Sequence, residues 1–302
     1  MSVVDSQRDT EAVLNIAFYR FVTLRDLAEW RTWFRELAAR LGLKGTILLS
    51  EEGINAFLAG SEAEVRGFLC VISEREEFRG LPVKESWTET LPFNRMFVKL
   101  KKEIISMGRP EVRPSEKTAQ RLLPAELKQW LDEGRPVTLL DTRNDYEIRL
   151  GAFKGAMSLG MTHFRQFPER LGSLISHSIP ALDEAPVVMY CTGGIRCEKA
   201  GALALDLGLK DVYQLEGGIL RYFEECGEGH FQGECFVFDH RVAVGPDLSP
   251  SHSTIQCFQC RMPLTPEDQA SPRYCYEKSC PHCFKADRTQ REETECLTPG
   301  VS

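Results

Sequence analysis

Apolar and polar positions follow two different periods along the N-terminal third of the chain. Val13–Phe21 is a largely apolar and aromatic run and predicts a strand. Leu24, Leu27, Trp30, Phe34, Leu37 and Leu41 recur at helical spacing, predicting a helix over Leu24–Leu41. Gly45–Leu49 and Ile54–Leu58 read as strands joined by a turn at Glu51-Glu52-Gly53. Ser61 suits the N-cap of a helix running through Ile72, with Glu64 completing a capping box. Further strands are expected near Val83–Trp87 and over Met96–Ile105. This order predicts an α+β sandwich of the ferredoxin-like or acylphosphatase-like kind over residues 1–110. Periodicity alone leaves an unrelated small α+β domain open.

Pro110, Pro114 and the charged residues around them mark residues 111–122 as a linker. Beyond it, short apolar strands (Val137–Leu140, Val187–Tyr190, Val212–Leu215) alternate with helical patterns. The helices are expected at Leu123–Leu131, His163–Ile175, Glu198–Leu207 and Ile219–Glu225. Such alternation predicts an α/β domain over residues 123–228, a mainly parallel sheet flanked by helices. Residues 229–302 form a Cys-rich C-terminal extension, which beyond about Gly245 is rich in Pro, Ser and Thr as well.

Composition narrows the picture. A chain of 302 residues has room for two domains, and 42% hydrophobic with 27% charged residues is a globular balance. No apolar run approaches the roughly 18 residues of a membrane helix, and the N-terminus lacks a basic region followed by an apolar stretch. A cytoplasmic protein without a membrane or a stable protein partner is expected. In such a reducing setting the 11 cysteines read as metal ligands or reactive thiols before disulfides. The net charge of -7 falls beyond residue 118, the first 118 residues being balanced. Between Phe93 and Lys117, seven basic residues face three acidic ones. This excludes a wholly basic RNA-coating protein but leaves room for a local RNA-binding face.

The strongest chemical signal is Val187–Lys199, where a buried strand runs into Cys191-Thr192-Gly193-Gly194-Ile195-Arg196 and then a helix. A loop entering a helix N-terminus aims backbone N–H groups inward, and the dipole there favours an anion. Cys191 is therefore expected to be a low-pKa nucleophile, with Gly193 and Gly194 letting the backbone curl around sulfur or substrate and Arg196 adding positive charge. A buried structural cysteine is the bland alternative. Cys197 could resolve an oxidised Cys191 or simply fill the first helical turn. Asp141 and Arg143 could act in catalysis or form a structural ion pair.

Cys191–Arg196 resembles the six-residue active loop of rhodanese-type sulfurtransferases. Leu139-Leu140-Asp141-Thr142-Arg143, Gly151–Ala156 and Gln214–Ile219 resemble their remaining motifs in the same order, with Phe153 in place of the usual Ile. Arg196 lies five residues after Cys191, against six in the cysteine phosphatases of related fold. Tyr190–Ala200, Glu52-Gly53-Ile54-Asn55, Lys101-Lys102-Glu103-Ile104-Ile105 and the cysteine-bearing tail together resemble the oxygen-dependent tRNA uridine hydroxylase family, with Ala56 where Gly is expected. The resemblance implies hydroxylation at C5 of the wobble uridine, position 34 of tRNA, with Cys191 as a persulfide-type nucleophile, Arg196 in the catalytic loop, and O2 as co-substrate with an unassigned reductant. A thiosulfate sulfurtransferase needs only the Cys191 loop and is the alternative; a non-enzymatic rhodanese-like module would not need the intact nucleophile.

Two further features bear on partners. Lys99, Lys101 and Lys102 fall on the expected Met96–Ile105 strand, where alternation would put Lys99 and Lys101 on one face for tRNA phosphates. A solvated strand edge is the alternative. Cys257-Phe258-Gln259-Cys260 and Cys280-Pro281-His282-Cys283, separated by 19 residues, have the spacing of a structural zinc site, with Cys275 as a substitute ligand. Free thiols on a loose tail remain the other reading.

Overall fold

The computed structural model describes residues 12–177, 182 and 184–285. The N-terminal domain runs β1 (Val13–Phe21), α1 (Leu27–Arg40), β2 (Lys44–Ser50), β3 (Gly53–Gly60), α2 (Glu62–Ser73), β4 (Lys84–Thr88) and β5 (Met96–Leu100). Its sheet order β4-β1-β3-β2-β5 is the ferredoxin-like arrangement with an extra edge strand, β5, parallel to β2. One face of the sheet carries Ile16, Phe18, Ile47 and Val98, which are buried with Phe34 and Leu37 of α1 and Phe68 of α2. The Ser61–Glu64 capping box is formed. Ala56 lies inside β3, paired with Phe18 and Ile47, so the turn geometry expected to need Gly is not at this position.

Strand β5 ends at Leu100, not Ile105. Lys101 continues the ladder by one bond, donating to Leu49 O at 2.8 Å, and the chain then turns. Glu52 accepts from Ile104 N at 2.7 Å, and Asn55 donates to Ile104 O at 3.2 Å. The Glu52–Asn55 and Lys101–Ile105 motifs are thus two halves of one loop anchorage.

The second sheet is wholly parallel, in the order β6 (Gln120–Leu122), β11 (Val212–Leu215), β10 (Val187–Tyr190), β7 (Thr138–Asp141), β9 (Met157–Ser158). Around it run α3 (Pro124–Asp132), α4 (Asp145–Ile148), β8 (Gly151–Phe153), α5 (Phe167–Ser176), α6 (Ile195–Asp206) and α7 (Gly218–Cys226). Val187 and Met189 face the core with Phe167, Leu171 and Ala200, whereas Val188 and Tyr190 face Leu127, Ile219 and Phe223. Burial on both faces explains the unbroken apolar strands. The stretch after residue 105 is no free spacer: Met107, Val112 and Ala119 are buried against this domain, and β6 is its edge strand. The segment expected as one helix over His163–Ile175 begins as a 3-10 turn, Phe164–Gln166, because Pro168 occupies the first turn of α5. The extension adds β12 (Phe231–Gly233), paired with β8, then the hairpin β13 (Cys235–Phe236) and β14 (Ala243–Val244). The tail contributes β15 (Ile255–Gln256), β16 (Pro263–Leu264) and α8 (Pro266–Gln269). No helix among the described residues is long and apolar enough to cross a membrane.

The domains are joined by a buried cation. The Lys199 side chain on α6 is 0% exposed, and its Nζ lies 2.7 Å from both Glu52 Oε2 and Glu103 Oε2. Burial alone would raise the Glu103 carboxyl, but the Lys199 bond and the N–H groups of Met107 and Gly108 hold it below its ordinary 4.5. A depressed carboxyl stabilises the fold above its unfolded value and loses that contribution on acidification. Removing one partner of a buried ion cluster costs about 3–5 kcal/mol. Lys199→Met is therefore expected to lower stability by that order in urea titrations. It should also weaken the loss of stability that intact protein shows as pH falls below about 4.5.

Candidate active site

Cys191 stands where β10 ends, at the carboxyl edge of the parallel sheet, and the helix following its loop is α6. The helix starts at Ile195, three residues earlier than apolar spacing suggests, because Gly194 adopts φ +98° and caps it. That geometry brings Gly194 N to 3.1 Å from Cys191 Sγ. Burial alone would raise the Cys191 thiol. The Cys197 hydrogen bond, the Arg196 charge and the N–H groups of Arg196 and Gly194 outweigh it and hold Cys191 well below its usual range. Cys197, on the first turn of α6, is pushed up by burial and by Cys191, and its Sγ lies 3.7 Å from Thr142 Oγ1. Both cysteines are free thiols.

Arg196 is buried and donates to Glu147, itself fully buried. Its charge acts on Cys191 from a fixed position. Glu147 was not singled out from the sequence; its only signal there is a capping position three residues after Asn144. Asp141 and Arg143 form a buried ion pair, and Arg143 also donates to Gly151 O at 2.7 Å. This is the structural alternative of the two that the sequence left open.

The neighbouring turn clamps the loop. Ile219 N donates to Cys191 O at 3.0 Å and Leu220 N to Thr192 O at 3.1 Å. A Cβ on Gly218, whose φ is +66°, would stand 2.4 Å from Cys191 O. The Leu215–Ile219 motif is thus a packing requirement of the cysteine loop.

The N-terminal domain supplies the opposite wall. Tyr19 donates to Glu198 Oε1 at 3.4 Å, and a Cβ on Gly194 would lie 2.9 Å from the Tyr19 hydroxyl. Burial and the adjacent Glu198 raise Tyr19 well above its ordinary value. Lys84 of β4 donates to Gly217 O. Burial between the domains pushes Lys84 down to about 8, against the pull of Glu224 and Cys191. Neither residue carries a sequence signal, since both lie in ordinary strand patterns. From the extension, Arg241 donates to Ser86 Oγ at 3.2 Å, and Phe238 lies 5.9 Å from the Arg196 guanidinium. These walls enclose a cleft of about 1740 Å³ with Cys191, Thr192, Gly193 and Arg196 in its lining. Cys191 itself is 0% exposed, at the bottom of that cleft.

Of the expected lysines, Lys101 lines the cleft, whereas Lys99 and Lys102 are exposed outside its lining. Lys99 remains on β5, over the Phe97 ring at 4.7 Å. In the tail, Cys257, Cys260, Cys280 and Cys283 converge, with all four sulfurs within 4.8 Å of one another; Cys275 is not among them. The knuckle is moored to the parallel-sheet domain where Arg149 meets both Asp268 and His282.

Residues 13–104 match the family described as UPF0176 acylphosphatase like domain, and residues 123–225 match the Rhodanese-like domain. Together with the geometry they define the class: a rhodanese-fold protein whose cysteine loop faces an acylphosphatase-like domain. The tRNA uridine(34) hydroxylase of Cupriavidus necator is 49% identical over 277 residues, covering 90% of this chain and 96% of that one. That of Paraburkholderia xenovorans is 46% identical over 289 residues, covering 93% and 99%. The chain belongs to the tRNA uridine(34) hydroxylase family and is an enzyme. Among solved structures, the rhodanese-like domain of an Anabaena sp protein is 24% identical over 37% of this chain and 78% of that one, with a TM-score of 0.31.

A thiolate held below its usual range reacts through neutral pH and loses reactivity only on acidification. Alkylation of Cys191, followed by peptide mass spectrometry, is expected to proceed at neutral pH, where an ordinary thiol is largely protonated. Cys235, pushed up to about 12 by burial, should stay unmodified in the same samples. Gly218→Ala should destabilise the fold by about 1–3 kcal/mol and blunt the Cys191 reaction, because the loop must move.

Proposed function

We propose that the protein hydroxylates C5 of the wobble uridine, position 34 of tRNA, with O2 as the oxygen source. The observation that carries this reading is the Cys191 loop opening into the interdomain cleft, in a chain matched over about nine-tenths of its length by relatives named for that reaction. A flipped-out loop nucleotide is the form in which an RNA base can reach such a floor. A cytoplasmic location goes with a tRNA substrate.

A sulfur nucleophile adding to C6 breaks the C5–C6 double bond and leaves C5 an enolate carbon, electron-rich toward an oxygen electrophile. Loss of the C5 proton and expulsion of sulfur restore the double bond. One oxygen atom stays on C5, and the other leaves as water once a reductant supplies two electrons and two protons. Because the Cys191 sulfur is fully buried, a persulfide, whose outer sulfur stands about 2.05 Å further out, suits the depth of the cleft better than the thiolate alone. Arg196 and the N–H groups of the loop would stabilise the anionic sulfur; Gly193, in the cleft lining, leaves room for the ring, whereas the expected room at Gly194 is taken by Tyr19 and Gly217. Lys101 at the cleft, with Lys99 and Lys102 beyond it, would meet phosphates.

For the tail we propose a structural zinc ion. The Sγ separations of 3.9, 3.5 and 3.7 Å for Cys257–Cys283, Cys260–Cys280 and Cys280–Cys283 fit the edge of about 3.8 Å that a tetrahedron of 2.3 Å Zn–S bonds requires. Four thiolates leave no open position, so the ion would hold the tail and take no part in the chemistry. Protein purified without chelator is expected to carry one zinc per chain; a metal-free preparation that is folded ends the zinc assignment.

Nucleoside mass spectrometry tests the main reading. tRNA from cells lacking the gene is compared with tRNA from cells restored with the unaltered protein or with Cys191→Ala. One uridine should gain a single oxygen atom only with the unaltered protein. A full mark with Cys191→Ala removes the nucleophile. No difference among the three, in a host without a second enzyme for the mark, moves thiosulfate sulfurtransfer to the front.

A further inference from the structure

The sheet of the N-terminal domain has one face in its core and one turned toward the cleft. Strand register puts Lys84, Ala17, Phe57, Thr46 and Phe97 side by side across all five strands on the cleft-facing side. The next row on that face is Tyr19, Asn55, Leu48 and Lys99. The inner end of the first row is Lys84, bonded to Gly217 beside the Cys191 loop. Its outer end is Phe97, 43% exposed on edge strand β5. At about 4.8 Å per strand, the row runs about 19 Å away from the cysteine loop, with Phe57 at its midpoint.

We propose that this face is a stacking platform for the single-stranded loop of the tRNA, taking bases next to the target on Phe57 and Phe97. The proposal rests on the tRNA reading above and specifies how the substrate is held. Three observations carry it. Phe57 is half-buried and Phe97 exposed on the sheet face away from the core, with Lys99 covering one side of the Phe97 ring, and Ala17 and Thr46 flank Phe57 with small side chains, leaving its ring room for a base. Sheet-borne aromatics are a general means of stacking unpaired bases. The charge is also right. Among the described residues Lys99 and Lys101 have no carboxylate partner, whereas Glu198 and Glu103 near the inner end are paired with Arg121 and Lys199. Finally, Phe57, Ala17 and Lys84 line the same cleft as Cys191, so the inner half of the platform adjoins the nucleophile, and Phe97 lies beyond the cleft lining on the edge strand. A duplex has no free base faces to offer such rings, which makes the occupant a loop.

The test uses the full chain carrying Cys191→Ala. Its probes are a synthetic RNA stem-loop with a loop uridine and a fully paired RNA of equal phosphate count, and binding is followed by fluorescence anisotropy at several salt concentrations. Phe97→Ala changes an exposed position, and Phe57→Leu keeps the volume while removing the π face; circular dichroism and melting confirm folding. Each is expected to weaken stem-loop binding roughly five- to a hundredfold with an unchanged salt slope and little change for the duplex. Lys99→Ala should instead lower the salt slope by about 0.7. Stem-loop affinity unchanged in both phenylalanine variants overturns the platform, even if tRNA is hydroxylated as proposed. Conversely, weakened stem-loop binding in both variants alongside tRNA that never gains oxygen leaves the platform standing and removes the hydroxylase reading.

Discussion

A lysine with no access to water holds this molecule in its working shape. Lys199 belongs to the helix that follows the cysteine loop, while Glu52 and Glu103 belong to the other domain. An ammonium group buried without partners would be untenable, so Lys199 stays buried only while both carboxylates of the other domain are docked on it. The pairing fixes the sheet face of the N-terminal domain opposite Cys191. It thereby sets Tyr19 against Gly194 and Lys84 against Gly217. The cleft exists because these contacts hold its walls apart at one distance.

The sulfur is prepared by the same logic of enforced neighbours. Burial works against a thiolate at Cys191, and the loop reverses that with Cys197, the Arg196 charge and directed N–H groups. Arg196 can act so because Glu147 pins its guanidinium in the interior. The turn at Gly218 then closes over the loop from behind, through two backbone bonds that leave no space for a side chain. Each part has its own structural duty, and the chemistry depends on their sum.

Much of this was legible in the chain. Strands Val13–Phe21, Val187–Tyr190 and Val212–Leu215 were readable to the residue from their apolar content, and the last two also because Pro186, Asp211 and Glu216 stand at their ends. The cysteine loop was readable because strand, Cys, Gly-Gly and Arg coincide within ten residues. What escaped depended on tertiary contact. The end of β5 is set by Glu52 and Asn55 gripping Ile104, which alternation along one strand cannot reveal. Tyr19, Lys84 and Glu147 look like ordinary strand or cap residues until the other domain or the next element is placed beside them. The motif Glu52–Asn55 was noticed only by resemblance; its physical meaning is the anchorage of a distant loop and the pairing with Lys199.

The depth of Cys191 has a kinetic meaning. A thiolate on an open surface reacts with whatever electrophile or disulfide diffuses past. One with no exposed surface, in the lining of an interdomain cleft, is met only by what first enters that cleft. Selectivity is then set at the entrance, by shape, before any affinity at the bottom is expressed. A sulfur held anionic at that depth is shielded by the surrounding walls from thiols and disulfides in bulk solution.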